Sequence, residues 1–256
     1  MSISMGIIQG RLTTPTEGFQ ECPSNWKREF KLLPTIGLGH IEWIITEKSF
    51  SSNPFFYEDL ISYPISSVCA DNLVNNKIKH MGFLEHNLKP ICDASRRNKV
   101  KCITIPLLED SNMEDDQTRR EFCNNIIKIT EQYPDLLFSF EAELDKDRLC
   151  DIIYMSDNYR ITYDTGNITS CRIDHRRYIE ALHDRINNVH LKDRTFEAQT
   201  VYPMSGDTDF VKIFKHLKFH GYEGPYSLQT ARGPSGNETN TIQQHANLLK
   251  EVYNEA

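Results

Sequence analysis

Short apolar runs recur along the chain, and the stretches between them repeat their apolar positions at helical spacing. The runs are ISMGIIQ (3–9), HIEWII (40–45), ISSVCA (65–70), KCITIPLL (101–108), LLFSFE (136–141), YRITYD (159–164), INNVHL (186–191) and PYSLQT (225–230). They are rich in Ile, Val, Leu and aromatic residues and mostly apolar at both parities, which is how parallel strands covered on both faces read. Residues 25–36 begin at Asn25, a good helix N-cap, and carry Trp26, Phe30 and Leu33 on one stripe. Residues 114–133 align Phe122, Ile126, Ile129 and Tyr133, and Pro134 ends that helix. Asp209 opens a helix over 209–219 with Phe210, Ile213, Phe214 and Leu217 inward. A last helix covers 238–253, with Ile242, His245, Leu248, Leu249 and Val252 on its apolar side. Residues 46–64 offer only a stub of helix.

Eight strands alternating with helices predict an α/β chain folded as a single (β/α)8 TIM barrel, its active site at the C-terminal ends of the strands. A doubly wound open sheet would carry a Gly-rich phosphate turn after the first strand, and IIQGRL has a single glycine there. Without repeats, low-complexity tracts or linkers, residues 1–256 read as one domain.

In such a barrel all strands end at one mouth, where chemistry collects. The first four ends carry Gln9 and Arg11, Glu42, Asp71 and Asn72, and Glu109. The last four carry Glu141, Asp164, His190 and Gln229. Neighbouring strands lie ~4.8 Å apart, so one inward side chain from each of four can converge on a single ion. Two carboxylates, an imidazole and an amide oxygen suit one divalent metal ion, Mn2+, Mg2+, Co2+ or Zn2+. Taken singly, each reads equally as a polar strand terminus or helix cap; the succession of four points to a metal. Glu143 shares the parity of Glu141 but falls in the loop. Gly166 permits a tight turn that would hold Asp164 forward.

The net charge of −7 argues against a nucleic-acid partner, and 39% hydrophobic with 25% charged residues is an ordinary globular composition. No apolar run reaches the ~20 residues that span a bilayer, and the N-terminus lacks the regions of a signal peptide. Seven widely spaced cysteines without a C-x-x-C read as reduced thiols of a cytoplasmic protein.

The segments GIIQGRL, HIEWI, SVCAD, FEAEL, YDTGN, VHLKD and SLQTARG together resemble the xylose-isomerase-like TIM-barrel superfamily. That superfamily includes sugar phosphate isomerases and epimerases, inosose dehydratases and the AP endonuclease family 2 type of DNA repair enzyme. The resemblance runs most of the chain and is specific for the family, not for a substrate. It implies a metal held by Glu141, Asp164 and His190, with Gln229 where the family has glutamate. An amide can ligate through its oxygen but cannot carry a proton. Family epimerases use two glutamates as acid and base on opposite faces of an enediolate, so one proton carrier is missing here. Either Glu141 alone moves a proton between adjacent carbons, as in aldose–ketose isomerisation, or Glu42, Glu109 or Lys192 supplies the second proton. The nuclease branch has a histidine where this chain has Asn167, and the remaining histidines do not fall at matching strand ends.

Arg11, Lys192, Arg194 and Arg232 follow strand ends on one side of the mouth, and guanidinium groups suit phosphate or carboxylate. They read either as a clamp for an anionic sugar derivative or as partners of Asp193, Glu197 and Asp207, with Lys192 orienting a metal ligand. Loop 193–210, with Phe196 and Tyr202, has the length of a lid. Trp43, next to Glu42, packs outward by parity.

The expected function is that of an enzyme of carbohydrate metabolism, a divalent-metal-dependent isomerase or epimerase of a sugar or sugar phosphate. Proton transfer passes through a metal-bound enediolate, with Glu141 and Lys192 catalytic and Arg11, Glu42, Arg194 and Arg232 binding substrate. The alternatives are an inosose-type polyol dehydratase on the same site and a catalytically lapsed sugar-binding barrel; a DNA endonuclease is disfavoured. The expected partner is the small-molecule substrate, not nucleic acid or membrane, and homo-oligomerisation is left open.

Overall fold

The structure, a computed structural model, describes residues 3–14 and 21–256. Strand β1 (Met5–Ile8) leads through helix α1 (Lys27–Leu32) to β2 (Ile41–Ile44) and β3 (Ile65–Cys69). Helices α2 (Met81–Asn87) and α3 (Lys89–Arg97) precede β4 (Cys102–Leu107), followed by α4 (Asp116–Thr130), β5 (Leu137–Ala142) and α5 (Lys146–Ile153). Then come β6 (Tyr159–Asp164), α6 (Thr165–Ser170), α7 (His175–Leu182) and β7 (Ile186–Leu191). A short ribbon of β8 (Asp193–Arg194) and β9 (Thr200–Val201) leads to α8 (Phe210–Phe219), β10 (Tyr226–Leu228) and α9 (Glu238–Glu255).

The strands close into a barrel in the order β1-β10-β7-β6-β5-β4-β3-β2, with parallel pairing. The expected (β/α)8 TIM barrel is therefore the fold. The weak second unit is also real: a single 3-10 turn, Pro54–Phe56, is the helical element between β2 and β3. Asn53 caps it, and its Oδ1 accepts the Trp43 indole N–H at 2.8 Å, which fixes the outward tryptophan. Helix α1 departs from expectation, since it starts after Trp26 and not at Asn25, without a side-chain cap.

The chain divides into two compact units, Met1–Glu42 with Thr162–Ala256, and Trp43–Ile161. In the first, Phe214 of α8 meets Tyr226 of β10 with ring centroids 5.8 Å apart and Tyr253 of α9 at 5.3 Å. In the second, Phe122 of α4 meets Phe140 of β5 edge-on at 6.1 Å. Burial of each such side chain contributes about 1.5–3 kcal/mol.

The strands are not apolar on both parities, as the runs had suggested. Val189, Leu191, Tyr226 and Leu228 occupy one parity of β7 and β10. Asn188, His190 and Ser227 occupy the other, continued by Gln229, and all are buried. The register pairs Ser227 with His190 on one side and Gly6 on the other, so this polar parity is shared by adjacent strands. Asn188 and His190 both reach Glu42, whose strand β2 is separated from β7 by β1 and β10. Side chains that meet in this way must point into the barrel, so its interior is polar here and its apolar parity lies under the helices.

Gly6 belongs to the inward parity, and a Cβ there would overlap the His40 ring and carbonyl. Burial lowers the His40 imidazole to about 4, against the opposing pull of Glu42. Gly6→Ala is therefore expected to destabilise the fold by about 1–3 kcal/mol in denaturant titrations. An unchanged midpoint would show that His40 yields freely. The histidine also predicts an acid limb. Between pH 6.5 and 4 the unfolded imidazole binds a proton that the folded one refuses, so stability falls as pH falls through that window. The loss attributable to His40 is at most about 3 kcal/mol. Thermal melts across that range should be less steep in pH for His40→Gln; an identical slope would contradict the assignment.

Candidate functional site

His190 Nε2 lies 2.8 Å from Glu42 Oε2, and Asn188 Nδ2 donates to the same oxygen at 3.0 Å. Glu42 and His190 are wholly buried and Asn188 nearly so. Glu42, expected among the substrate-binding groups, is thus found in the barrel interior with its carboxylate engaged by β7. The sequence does mark Asn188: it interrupts an apolar run two residues before His190, at the same parity.

The second nitrogen of His190, Nδ1, is 4.0 Å from Asp164 Oδ2. Asp164 both ends β6 and caps α6, where its side chain accepts the Asn167 N–H at 2.8 Å. Its Oδ2 also accepts from Lys192 Nζ at 3.2 Å, and Nζ donates to Asn167 Oδ1 at 3.3 Å. Burial by itself would raise the Asp164 carboxyl. Burial is the largest single influence, but the Lys192 ammonium, His190, the Asn167 N–H and Arg194 together outweigh it and hold the group below the ordinary carboxylate range. Lys192 is placed by main-chain geometry, its N–H donating to Thr165 Oγ1 at 3.0 Å. Gly166 serves this arrangement by close approach, not by the tight turn expected of it. It lies in the first turn of α6 without a left-handed φ. The Lys192 and Arg194 stems come within 2.9–3.1 Å of where its Cβ would sit.

Glu141, Asp164 and His190 are buried and each offers a ligand atom, these atoms lying within 4.8 Å of one another. Among the described residues no other group of three or more His, Cys, Asp or Glu does so. Gln229 follows β10, its N–H donating to Leu191 O of β7 at 3.0 Å. Its side chain is buried, and among the described residues Oε1 has no hydrogen-bond partner. A buried acceptor left without a donor costs stability, and a cation would supply what it lacks. The two carboxylates and the imidazole of Glu141, Asp164 and His190 are a donor set that suits a divalent metal.

The basic residues divide. Arg11 is buried and donates to Thr230 O at 2.8 Å; Arg232 donates to Gly10 O at 2.7 Å. Both hold the loop after β1 to the loop after β10. Glu29 of α1, which the sequence reading missed, completes this tie by accepting from Gly10 N at 2.9 Å and Leu12 N at 3.0 Å. Burial pushes Glu29 up to about 7 despite those donors and the Arg232 charge. No sequence signal marked it, because the strongest of its partners are the main-chain N–H groups of Gly10 and Leu12. A cavity of about 370 Å³ lies beside Arg232 with Arg28, Glu238 and Thr239 in its wall; its walls include neither Asp164, His190, Lys192 nor Gln229. Arg194 donates to Ser170 Oγ at 3.3 Å.

Loop 193–210 is ordered by Asp193. Its carboxylate accepts the N–H groups of Ser205, Gly206 and Thr208 at 3.1, 2.9 and 3.2 Å. Tyr202 lies on His245 of α9 at 5.0 Å, and His245 Nδ1 bonds Thr230 Oγ1 at 2.9 Å. The aromatic residues expected on a lid, Phe196 and Tyr202, are exposed.

Residues 140–252 match the family model of the xylose isomerase-like TIM barrel, and the resemblance read from the sequence is borne out. No curated protein matches the chain by sequence. Among solved structures the chain is similar to an L-ribulose 3-epimerase, with TM-score 0.75 and 12% identity over 99% of this chain and 95% of the other. It is similar to the IOLI protein with a binding zinc atom, with TM-score 0.74 and 13% identity over 99% of each chain. A fusion of a xylose isomerase-like TIM barrel with 4-hydroxyphenylpyruvate dioxygenase matches 96% of this chain at TM-score 0.71 and 12% identity; this chain spans 42% of it. At these identities what is shared is the fold.

The Lys192–Asp164 pair makes a prediction of its own. Lys192→Met leaves a buried carboxylate without its cation, which costs about 3–5 kcal/mol. Urea unfolding of the metal-free variant measures it, and a loss below about 1 kcal/mol would mean that the pair behaves as a solvated one.

Proposed function

We propose that this chain is a divalent-metal-dependent isomerase or epimerase acting on a sugar or sugar phosphate. The observation that carries the reading is the buried Glu141, Asp164 and His190 group; the buried Gln229 Oε1, without a hydrogen-bond partner among the described residues, is consistent with a fourth ligand. When bound, a divalent ion supplies Lewis acidity that polarises a sugar carbonyl and its neighbouring hydroxyl.

The chain's own residues do the rest. Glu141 is the base, taking a proton from the carbon beside the carbonyl and returning it to the adjacent carbon. Gln229 orients through its amide and carries no proton, which favours one-face isomerisation over two-base epimerisation. Lys192 Nζ, turning from Asp164, would give a proton to the carbonyl oxygen and take back the one that leaves the neighbouring hydroxyl, so that the oxygen protons balance. Arg11 and Arg232 order the loops beside the substrate, and Arg194 offers its guanidinium to an anionic substituent. The similar L-ribulose 3-epimerase supports a sugar substrate, and the zinc atom of the IOLI structure supports a metal.

One observation favours a second reading, a catalytically lapsed sugar-binding barrel. Lys192 already neutralises Asp164, the task a metal would otherwise perform.

Elemental analysis of protein purified without chelator should find about one divalent ion per chain. His190→Ala should lose it while keeping the far-ultraviolet circular dichroism of the fold. Gln229→Glu should bind the ion more tightly, because it adds a charge to the donor set. Full metal content in His190→Ala would refute the ligand assignment, and unchanged affinity in Gln229→Glu would remove Gln229 from it.

A further inference from the structure

We infer that Glu42 is a positioning residue that fixes the tautomer of His190, placing the proton on Nε2 and the lone pair on Nδ1. The inference rests on the proposed metal site for its functional consequence, but its structural part stands on hydrogen-bond bookkeeping alone.

Glu42 Oε2 receives the Asn188 side chain at 3.0 Å. If that amide were reversed, its oxygen would face a carboxylate oxygen, so the group presented there is the N–H donor. His190 Nε2 lies 2.8 Å from the same Oε2. A carboxylate oxygen only accepts, so Nε2 must carry the hydrogen. Asn188 Nδ2 and His190 Nε2 are 3.3 Å apart, and as two donors they share Oε2 without bonding each other. A neutral imidazole protonated at Nε2 has its lone pair on Nδ1, the atom 4.0 Å from Asp164. Metal ligation needs that lone pair.

The position of Glu42 makes it suited to this work and unsuited to substrate. It is fully buried, as is His190, so water does not compete for the contact. Its strand β2 lies across the ring from β7, with β1 and β10 between, so the imidazole is oriented by a strand other than its own. Replacement by glutamine keeps the shape but offers either an oxygen or an N–H to Nε2, and the tautomer ceases to be dictated. Loss of such an orienting partner costs about 10–100-fold in metal affinity.

The test combines nitrogen-15 spectroscopy of labelled histidines in metal-free protein with calorimetric titration of Co2+, for the wild type and Glu42→Gln. Expected are a His190 signature with the proton on Nε2 in the wild type, a mixed or inverted signature in Glu42→Gln, and a 10–100-fold weaker Co2+ affinity in the variant. A wild-type His190 protonated on Nδ1 would overturn the inference, and that spectrum decides even if Glu42→Gln fails to fold. So would a variant with unchanged tautomer and affinity, in a protein that still binds Co2+ and keeps the proposed function. If neither protein binds Co2+ yet the tautomer shifts as expected, the inference holds and the proposed metal-dependent function fails.

Discussion

A carboxylate withdrawn from water inside this barrel has to be met by donors. Desolvation costs several kcal/mol per ion, and apolar neighbours return none of it. Two carboxylates in the first of the two compact units obey this constraint in different ways. Asp164 is met by an ammonium, Lys192 Nζ, and by the N–H of the helix it caps. Glu42 is met by an imidazole and an amide from strand β7. The local details follow from these pairings. Gly166 leaves room for the lysine stem, Thr165 holds the lysine main chain, and Asn188 sits two residues before the histidine it assists.

The same constraint separates residues that stabilise from residues that can act. Arg11, Arg232 and Glu29 form a tie between the loops after β1 and β10, built largely on main-chain partners. Gln229 presents an acceptor instead: among the described residues its buried Oε1, like Asn188 Oδ1, has no hydrogen-bond partner. An unsatisfied acceptor next to the strand that carries His190 is a standing cost, and the proposed cation removes it. The glutamine is consistent with a site that keeps its ligating oxygen and gives up a proton carrier. In the proposed reaction, proton transfer then falls to Glu141 and Lys192.

Much of the architecture was legible because strands and helices differ in period. The eight strand runs fell where the barrel has its strands, and the weak second helix was weak because the chain makes only a 3-10 turn there. Side-chain direction was harder to read. The runs looked apolar at both parities because short strands with large outward residues mask the polar ones between them. Asn188 and Ser227 were absorbed into that impression, and only the register and the cross-barrel bonds separate the two faces. The clustering of Glu141, Asp164 and His190 was readable because consecutive strand ends are neighbours in a barrel. The engagement of Glu42 with His190 was not, because β2 and β7 are not neighbours and sequence carries no distance across a ring. Glu29 was unreadable for a related reason: its main partners, Gly10 N and Leu12 N, are backbone groups, which every residue possesses.

The central claim is that the interior cluster holds a divalent cation through Glu141, Asp164, Gln229 and the Nδ1 of His190. A crystal soaked in Mn2+ and measured for anomalous scattering addresses it directly. The account predicts one strong peak ~2.0–2.2 Å from those four side chains, with Lys192 Nζ moved off Asp164 and the Glu42–His190 contact retained. An empty map at the cluster, with Lys192 still on Asp164 at saturating Mn2+, would contradict it and leave the lysine as the cation this site was built around.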